Sequence, residues 1–271
     1  MLNLTTRLEQ ILVVKIGGGA GLDIARCLQD VARLARQRPV VVVHGVSAVM
    51  DALCAERGLP VRTITSPNGH SSRYTDPSTR DVFVEAAGRV NDDLVHGLQA
   101  QGIDAVGVSG VIYGERKAAI RALVDGRRVI IRDDYSGTIT GVNAGILFDC
   151  LERGQVVVLP PLAISDDGFL NIDGDRGAAA VASALGAADF VILSNVRGLY
   201  RQFGQEDSFI TRVSRHQIDA AMNYAQGRMK RKVLGASEAL AGGVHRVIIA
   251  DGRLESPIQA ALQGVGTEFL A

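Results

Sequence analysis

Six short apolar runs, each rich in Val, Ile or Leu, alternate with amphipathic stretches along this chain, and that rhythm limits its possible folds more than any other feature. The runs lie at 11–16, 40–43, 104–108, 156–159, 189–194 and 245–250. The amphipathic stretches lie near 22–37, 47–57, 77–100, 143–153, 175–186 and 228–242. Continuous apolar runs suit strands covered on both faces. Their alternation with helices predicts an α/β fold with a largely parallel sheet. Asp76-Pro77 predicts a helix start, with Asp76 as cap and Pro77 in the first helical position.

Two regions depart from the rhythm. Residues 111–140 read as short extended pieces with turns at Asp125-Gly126 and Ser136-Gly137, which predicts hairpins. Residues 162–171 predict another, turning at Asp166-Asp167-Gly168. No Pro/Gly/Ser linker divides the chain, so any boundary between lobes is soft and falls near 175–188.

Composition removes several function classes. Lys+Arg and Asp+Glu both number 29 and Trp is absent, which disfavours a nucleic-acid partner. Cys27, Cys54 and Cys150 form no C-x-x-C pair and read as small hydrophobes in a reducing cytoplasm. The histidines show no metal-ligand spacing, so no metal site is expected. No apolar run approaches the roughly 18 residues of a membrane span, and the N-terminus lacks a signal-peptide core.

Lys15 ends the first run and is followed by Ile16-Gly17-Gly18-Gly19. Glycines let main-chain N–H groups approach an anion, and the following helix adds its positive N-terminal end. The same pattern also fits a plain strand-to-helix turn with a solvated lysine. A P-loop is ruled out because no Gly-Lys pair occurs in the chain. A dinucleotide fingerprint read from Gly17 meets Leu22 in third place, and the next strand ends in His44-Gly45 rather than in an acid.

Three further segments fit the same theme. His44-Gly45-Val46-Ser47 puts a second glycine turn before a helix. Asn171-Ile172-Asp173-Gly174-Asp175 precedes an Ala-rich helix; read as extended, it puts Asn171, Asp173 and Asp175 on one side. Asp173 or Asp175 could equally be a helix cap. Gly227-Arg228-Met229-Lys230-Arg231-Lys232 sets four cations at a helix start, against the helix dipole, which suggests an anionic partner. Ser194-Asn195-Val196-Arg197-Gly198 follows the fifth run and could supply a nucleotide-side loop.

In order along the chain, V-V-K-I-G-G-G, V-V-H-G-V-S, S-R-Y-T-D, N-I-D-G-D, L-S-N-V-R-G-L and G-R-M-K-R-K-V resemble the amino acid kinase family. Within it the chain is similar to kinases of N-acetylglutamate. It is more similar to kinases of an α-aminoadipate carried on a small acidic amino-group carrier protein of the LysW type. The resemblance implies a three-layer sandwich with a mainly parallel central sheet, of the carbamate-kinase-like kind. It implies an amino-acid-binding and dimerisation lobe at 1–180 and an ATP-binding lobe at 181–271. It also implies ATP-dependent phosphorylation of a side-chain carboxylate, with Mg²⁺ carried on the nucleotide, in a homodimer or larger homo-oligomer.

Carried onto this sequence, the resemblance makes Lys15 and Lys232 the groups that flank the moving phosphoryl, with Asp175 organising them. Gly45, Val46, Arg73 and Asn171 would hold the amino-acid end. Gly17, Gly18, Ser194, Asn195, Gly198 and Met229 would hold ATP. The family pattern has a second glycine where this chain has Val46, so a position needing φ > 0 would be unfavourable here. Arg116, Lys117, Arg121, Arg127, Arg128 and Arg132 concentrate in the hairpin region and could steer an acidic carrier. They could also be a solvated face paired to Glu115, Asp125, Asp133 and Asp134. A ligand sensor on the same fold is the non-enzymatic alternative.

Overall fold

The apolar runs form the strands Leu12–Ile16, Val40–His44, Ala105–Gly107, Val156–Leu159, Asp189–Ser194 and Arg246–Asp251 of one sheet. A computed structural model describes residues 8–65, 71–124 and 127–271. Two more strands, Arg212–Ser214 and Thr267–Leu270, extend the sheet to eight. From edge to edge the order is Arg212–Ser214, Thr267–Leu270, Arg246–Asp251, Asp189–Ser194, Leu12–Ile16, Val40–His44, Val156–Leu159, Ala105–Gly107. Within the sheet only Arg246–Asp251 and Thr267–Leu270 pair antiparallel.

Side chains of a strand alternate between faces, and here both faces are apolar. Val13, Val41, Val43, Val157, Phe190, Ile192, Val247 and Ile249 pack on one side with the helices Ala144–Glu152, Gly174–Ala184 and Arg228–Ala241. Leu12, Val14, Ile16, Val40, Val42, Val158, Val191 and Ile248 pack on the other with Ile24–Ala35, Pro77–Gln99 and Pro257–Leu262. The result is helix–sheet–helix, in three layers.

The expected helix start at Asp76-Pro77 is present: Asp76 accepts a 2.8 Å hydrogen bond from the Thr79 N–H. Leu162–Ser165 and Gly168–Asn171 form the expected hairpin, with Gly168 at φ 87°. Ile120–Val124 and Arg127–Ile131 also pair antiparallel, while the Asp125-Gly126 turn lies outside the described residues.

Ser136-Gly137 is not a turn. Gly137 opens the strand Gly137–Val142 and pairs with Arg116 of the strand Ile112–Arg116. A Cβ on Gly137 would lie 2.8 Å from Leu170 Cδ1, so this glycine admits a close approach rather than a reversal. The expected alternation of Asn171, Asp173 and Asp175 also fails. Asn171 ends a strand, Asp173 caps the helix Gly174–Ala184, and Asp175 already lies in its first turn.

Candidate active site

Parallel strands deliver their following loops to one edge of a sheet, where ligands collect. Ile16 lies level with His44 on one side and with Leu193 on the other. The turns after these three neighbouring strands therefore meet. The two glycine turns touch through their backbones: a Cβ on Gly18 would sit 2.1 Å from the Gly45 carbonyl carbon, and one on Gly45 would sit 2.4 Å from the Gly18 nitrogen. The Ala48 N–H donates to the Gly18 carbonyl at 2.7 Å, fastening the first turn to the helix Ser47–Glu56. Gly17 lies against Leu22 and the Leu193 carbonyl.

Three charged side chains meet behind these turns. Lys15 Nζ lies 2.8 Å from Asp175 Oδ1, and Lys232 Nζ donates to Asp175 Oδ2 at 3.2 Å. The first contact is an ion pair without hydrogen-bond alignment, since Oδ1 has no aligned donor. Lys15, Asp175 and Lys232 are only 7%, 6% and 8% exposed. Gly174 lies in ordinary packing contact with the Lys15 stem, since a Cβ there would lie 3.4 Å from Lys15 Cε. Gly235 lets the two carrying helices close up, since a Cβ there would lie 3.1 Å from the Asp175 carbonyl oxygen.

The electrostatics follow from the count of charges. Burial opposes ionisation of Asp175, but Lys15 and then Lys232 overcome it and bring the carboxyl down to about 2. Burial lowers the Lys232 pKa, and repulsion by Lys15 lowers it further, against the attraction of Asp175. Two ammonium groups share one carboxylate, so a buried unit of positive charge remains to attract an anion. Around it, Arg231 pairs with Asp173 at 3.4 Å, and Arg228 reaches to 3.5 Å from where a Gly19 Cβ would sit. The basic helix start is thus only partly solvated: two of its cations serve the aspartates of the facing helix.

Val46 sits at φ −130° and packs with Met50, Leu53, Val82 and Phe83. The position does not need positive φ, so valine is unstrained there. Arg73 ends the strand Ser71–Arg73 and pairs through Nη2 with Asp51, while its buried Nη1 has no partner among the described residues. Asn171 donates from Nδ2 to Thr75 Oγ1 at 2.9 Å.

The nucleotide-side residues divide. Ser194 is buried at its strand end and accepts from the Gly252 N–H at 2.7 Å, and Asn195 beside it is exposed. Gly198 is occupied by packing, since a Cβ there would lie 2.4 Å from Thr267 Oγ1. Met229 packs partly against the core. In the hairpin region Lys117, Arg121, Arg127, Arg128 and Arg132 are exposed. Arg116 is committed within the fold: it donates to the carbonyls of Asp134 and Arg132 and stacks 4.1 Å from the Tyr135 ring centroid.

Other side chains surround the site, some inside the quoted motifs and some outside them. His44 is buried, its Nε2 lies 3.1 Å from Asn91 Oδ1, and burial above all holds its pKa down to about 4. Asp51, Thr75, Asn91 and Asp134 become visible as site neighbours only through contacts across the fold. Thr75 falls inside the quoted S-R-Y-T-D segment and Asp134 among the acids set against the hairpin arginines, but nothing local pairs the two with each other.

The sequence profile of the Amino acid kinase family matches residues 10–251. The chain is 40% identical to a LysW-aminoadipate kinase of Deinococcus radiodurans over 268 residues, covering 96% of this chain and 92% of that one. It is also 40% identical to the LysW-aminoadipate kinase of Thermus thermophilus over 266 residues, 95% and 99% of the two chains. N-acetylglutamate synthase from Neisseria gonorrhoeae, complexed with coenzyme A and N-acetyl-glutamate, superposes with a TM-score of 0.79 at 25% identity. That match covers 99% of this chain and 61% of the synthase. With two glycine turns and a buried lysine–aspartate–lysine cluster at one sheet edge, and with this similarity over nearly its whole length, the chain belongs to the amino acid kinase family and is a carboxyl-group phosphotransferase.

Proposed function

We propose that this enzyme transfers the γ-phosphoryl group of ATP to the side-chain carboxylate of an α-aminoadipate or glutamate whose amino group is carried on a small acidic LysW-like protein. The buried Lys15–Asp175–Lys232 cluster carries the reading. A carboxylate nucleophile, with an ordinary pKa of about 4.3, is already ionised near neutral pH and needs no general base. The work left to the protein is positioning and charge stabilisation. Lys15 and Lys232 flank the phosphoryl in flight, and Asp175 keeps both ammonium groups aimed and mutually tolerable. Main-chain N–H groups of Gly17 and Gly18 hold phosphate oxygens at a distance no side chain would permit, while the Gly45 N–H is spent on the Ile16 carbonyl at 2.9 Å and Gly45 serves by admitting close backbone approach.

Arg73 and Asn171 grip the amino-acid end, and Ser194 and Asn195 border the nucleotide. Residues 1–180 then supply most of the amino-acid side and 181–271 most of the nucleotide side. Mg²⁺ fits this site as a passenger on the nucleotide, supplying charge neutralisation between phosphate oxygens. The described residues offer no group of three His, Cys, Asp or Glu that could cage it, and Asp175 is committed to two lysines.

Carrier-linked substrate is favoured by the names of the two 40%-identical relatives. It is also favoured by Lys117, Arg121, Arg127 and Arg128, exposed around a hairpin that shows Ile130 to solvent. Such a surface suits an acidic protein partner. The second reading, a kinase of free N-acetylglutamate, is favoured by the likeness to the synthase bound to that amino acid. Turnover with Mg-ATP and hydroxylamine trapping separates them. Carrier-linked aminoadipate should react efficiently, and efficient reaction of free N-acetylglutamate alone would replace the carrier reading.

A further inference from the structure

Asp134 is a carboxylate only 1% exposed, and its oxygens are taken by two backbone donors: the Thr75 N–H at 2.9 Å and the Ser136 N–H at 2.7 Å. No lysine or arginine among the described residues pairs with it. A buried charge without a cation is costly unless its hydrogen bonds are strong and well placed. The first of these bonds joins segments 59 residues apart, and the second is local to the Asp134 segment.

The segment around Asp134 is stitched to both expected substrate contacts. The Tyr135 N–H donates to the Thr75 carbonyl at 2.7 Å, and the Asn171 N–H donates to the Tyr135 carbonyl at 2.9 Å. Ser136 forms a parallel bridge with Asn171. Thr75 Oγ1 accepts from Asn171 Nδ2 at 2.9 Å and itself donates to the Arg73 carbonyl at 3.3 Å. Thr75 is fully buried, so these partners are its whole environment for hydrogen bonding. The Tyr135 ring is fixed from outside by Arg80 and Arg116, with guanidinium carbons 4.4 and 4.1 Å from the ring centroid.

We infer that Asp134 and Thr75 form a strap that positions Arg73 and Asn171 for the amino-acid end of the substrate. The inference rests on the reading of Arg73 and Asn171 as substrate contacts. Both strap residues are positioning residues: Thr75 fixes the rotamer of the Asn171 amide and the backbone that carries Arg73, and Asp134 fixes Thr75. The Thr75 hydroxyl occupies one N–H of the Asn171 amide, leaving its carbonyl oxygen and second N–H for a ligand. Because these contacts act on binding of one substrate, they should govern the KM for the amino acid rather than the KM for ATP or kcat.

The test combines kinetics on carrier-linked and free N-acetylated aminoadipate with amide hydrogen exchange of peptides spanning 71–76 and 168–173. Thr75→Val keeps the side-chain shape and removes the hydroxyl. It should raise the amino-acid KM about tenfold, the effect of one lost hydrogen bond, with kcat and ATP KM within about twofold. Thr75→Ser should restore the wild-type KM. Asp134→Asn should raise the same KM and speed exchange in both peptides. Thr75→Val that leaves the amino-acid KM unmoved, or moves the ATP KM equally, overturns the strap. If the wild-type enzyme phosphorylates neither substrate, the functional reading fails and exchange decides the strap alone: faster exchange in both Asp134→Asn peptides upholds it, and unchanged exchange overturns it.

Discussion

Gly18 and Gly45 are in backbone-to-backbone contact, so close that a Cβ on Gly18 would fall 2.2 Å from the Val46 nitrogen. Backbone cannot swing aside as a flexible side chain can. Gly18→Ala should therefore force the two turns apart, costing more than about 3 kcal/mol in urea unfolding and abolishing turnover. Gly88→Ala is the control: a Cβ there meets open space within a helix, so it should be neutral or slightly stabilising.

Val46 answers the one departure from the family pattern. Its φ of −130° is ordinary, and its side chain is buried against Met50, Leu53 and Phe83. Val46→Gly, which restores the family residue, should destabilise the protein by about 2 kcal/mol, the cost of exposing a buried valine site. Urea unfolding reads this directly.

Arg73 has one nitrogen paired with Asp51 and one buried without a partner among the described residues. Asp51 is half exposed and holds Arg73 only weakly, so on the proposed role of Arg73 it would compete with a substrate carboxylate for the same guanidinium. Asp51→Asn should lower the amino-acid KM about threefold and leave kcat unchanged in steady-state assays.

His44 sets a pH window for stability. Its folded pKa is lowered from 6.5 to about 4, chiefly by burial, so the unfolded chain binds the proton more readily. Stability from this group is fully present above 6.5 and is lost as pH falls toward 4, about 3 kcal/mol in all. Asp175 is also depressed, but its contribution is present above 3.8 and is lost only as pH falls toward 2, outside that window. Urea midpoints between pH 4 and 7 should fall more steeply for wild type than for His44→Asn.

Much of the architecture was legible because each central strand announces itself as an apolar run. The strands Val156–Leu159 and Asp189–Ser194 match the expected limits, and the basic helix begins at Arg228 as its glycine-led start suggests. Ser136-Gly137 misled because the glycine there answers a contact with Leu170, which lies 33 positions later in the chain and leaves no local trace. Asp173 and Asp175 misled for the opposite reason: strand alternation was extended past the point where Asp173 caps a helix. Lys15, Asp175 and Lys232 could be singled out by residue type and motif. Their meeting is expected from the family resemblance alone, since no local pattern encodes two helices closing over Gly235 with a strand end between them. Asn91 is silent in the sequence, and Asp134 shows there only as a possible partner of the hairpin arginines, because a buried polar residue is recognised by partners such as His44 and Thr75, which lie 47 and 59 residues away.

The most direct test of this account is steady-state kinetics of Lys15→Ala with Mg-ATP and the preferred amino-acid substrate. In its proposed role Lys15 would face a group whose charge moves only in the transition state, so kcat should fall about 10²–10³-fold while both KM values stay within about threefold. An unchanged kcat, or a defect confined to KM, would contradict the role assigned to the buried lysine pair.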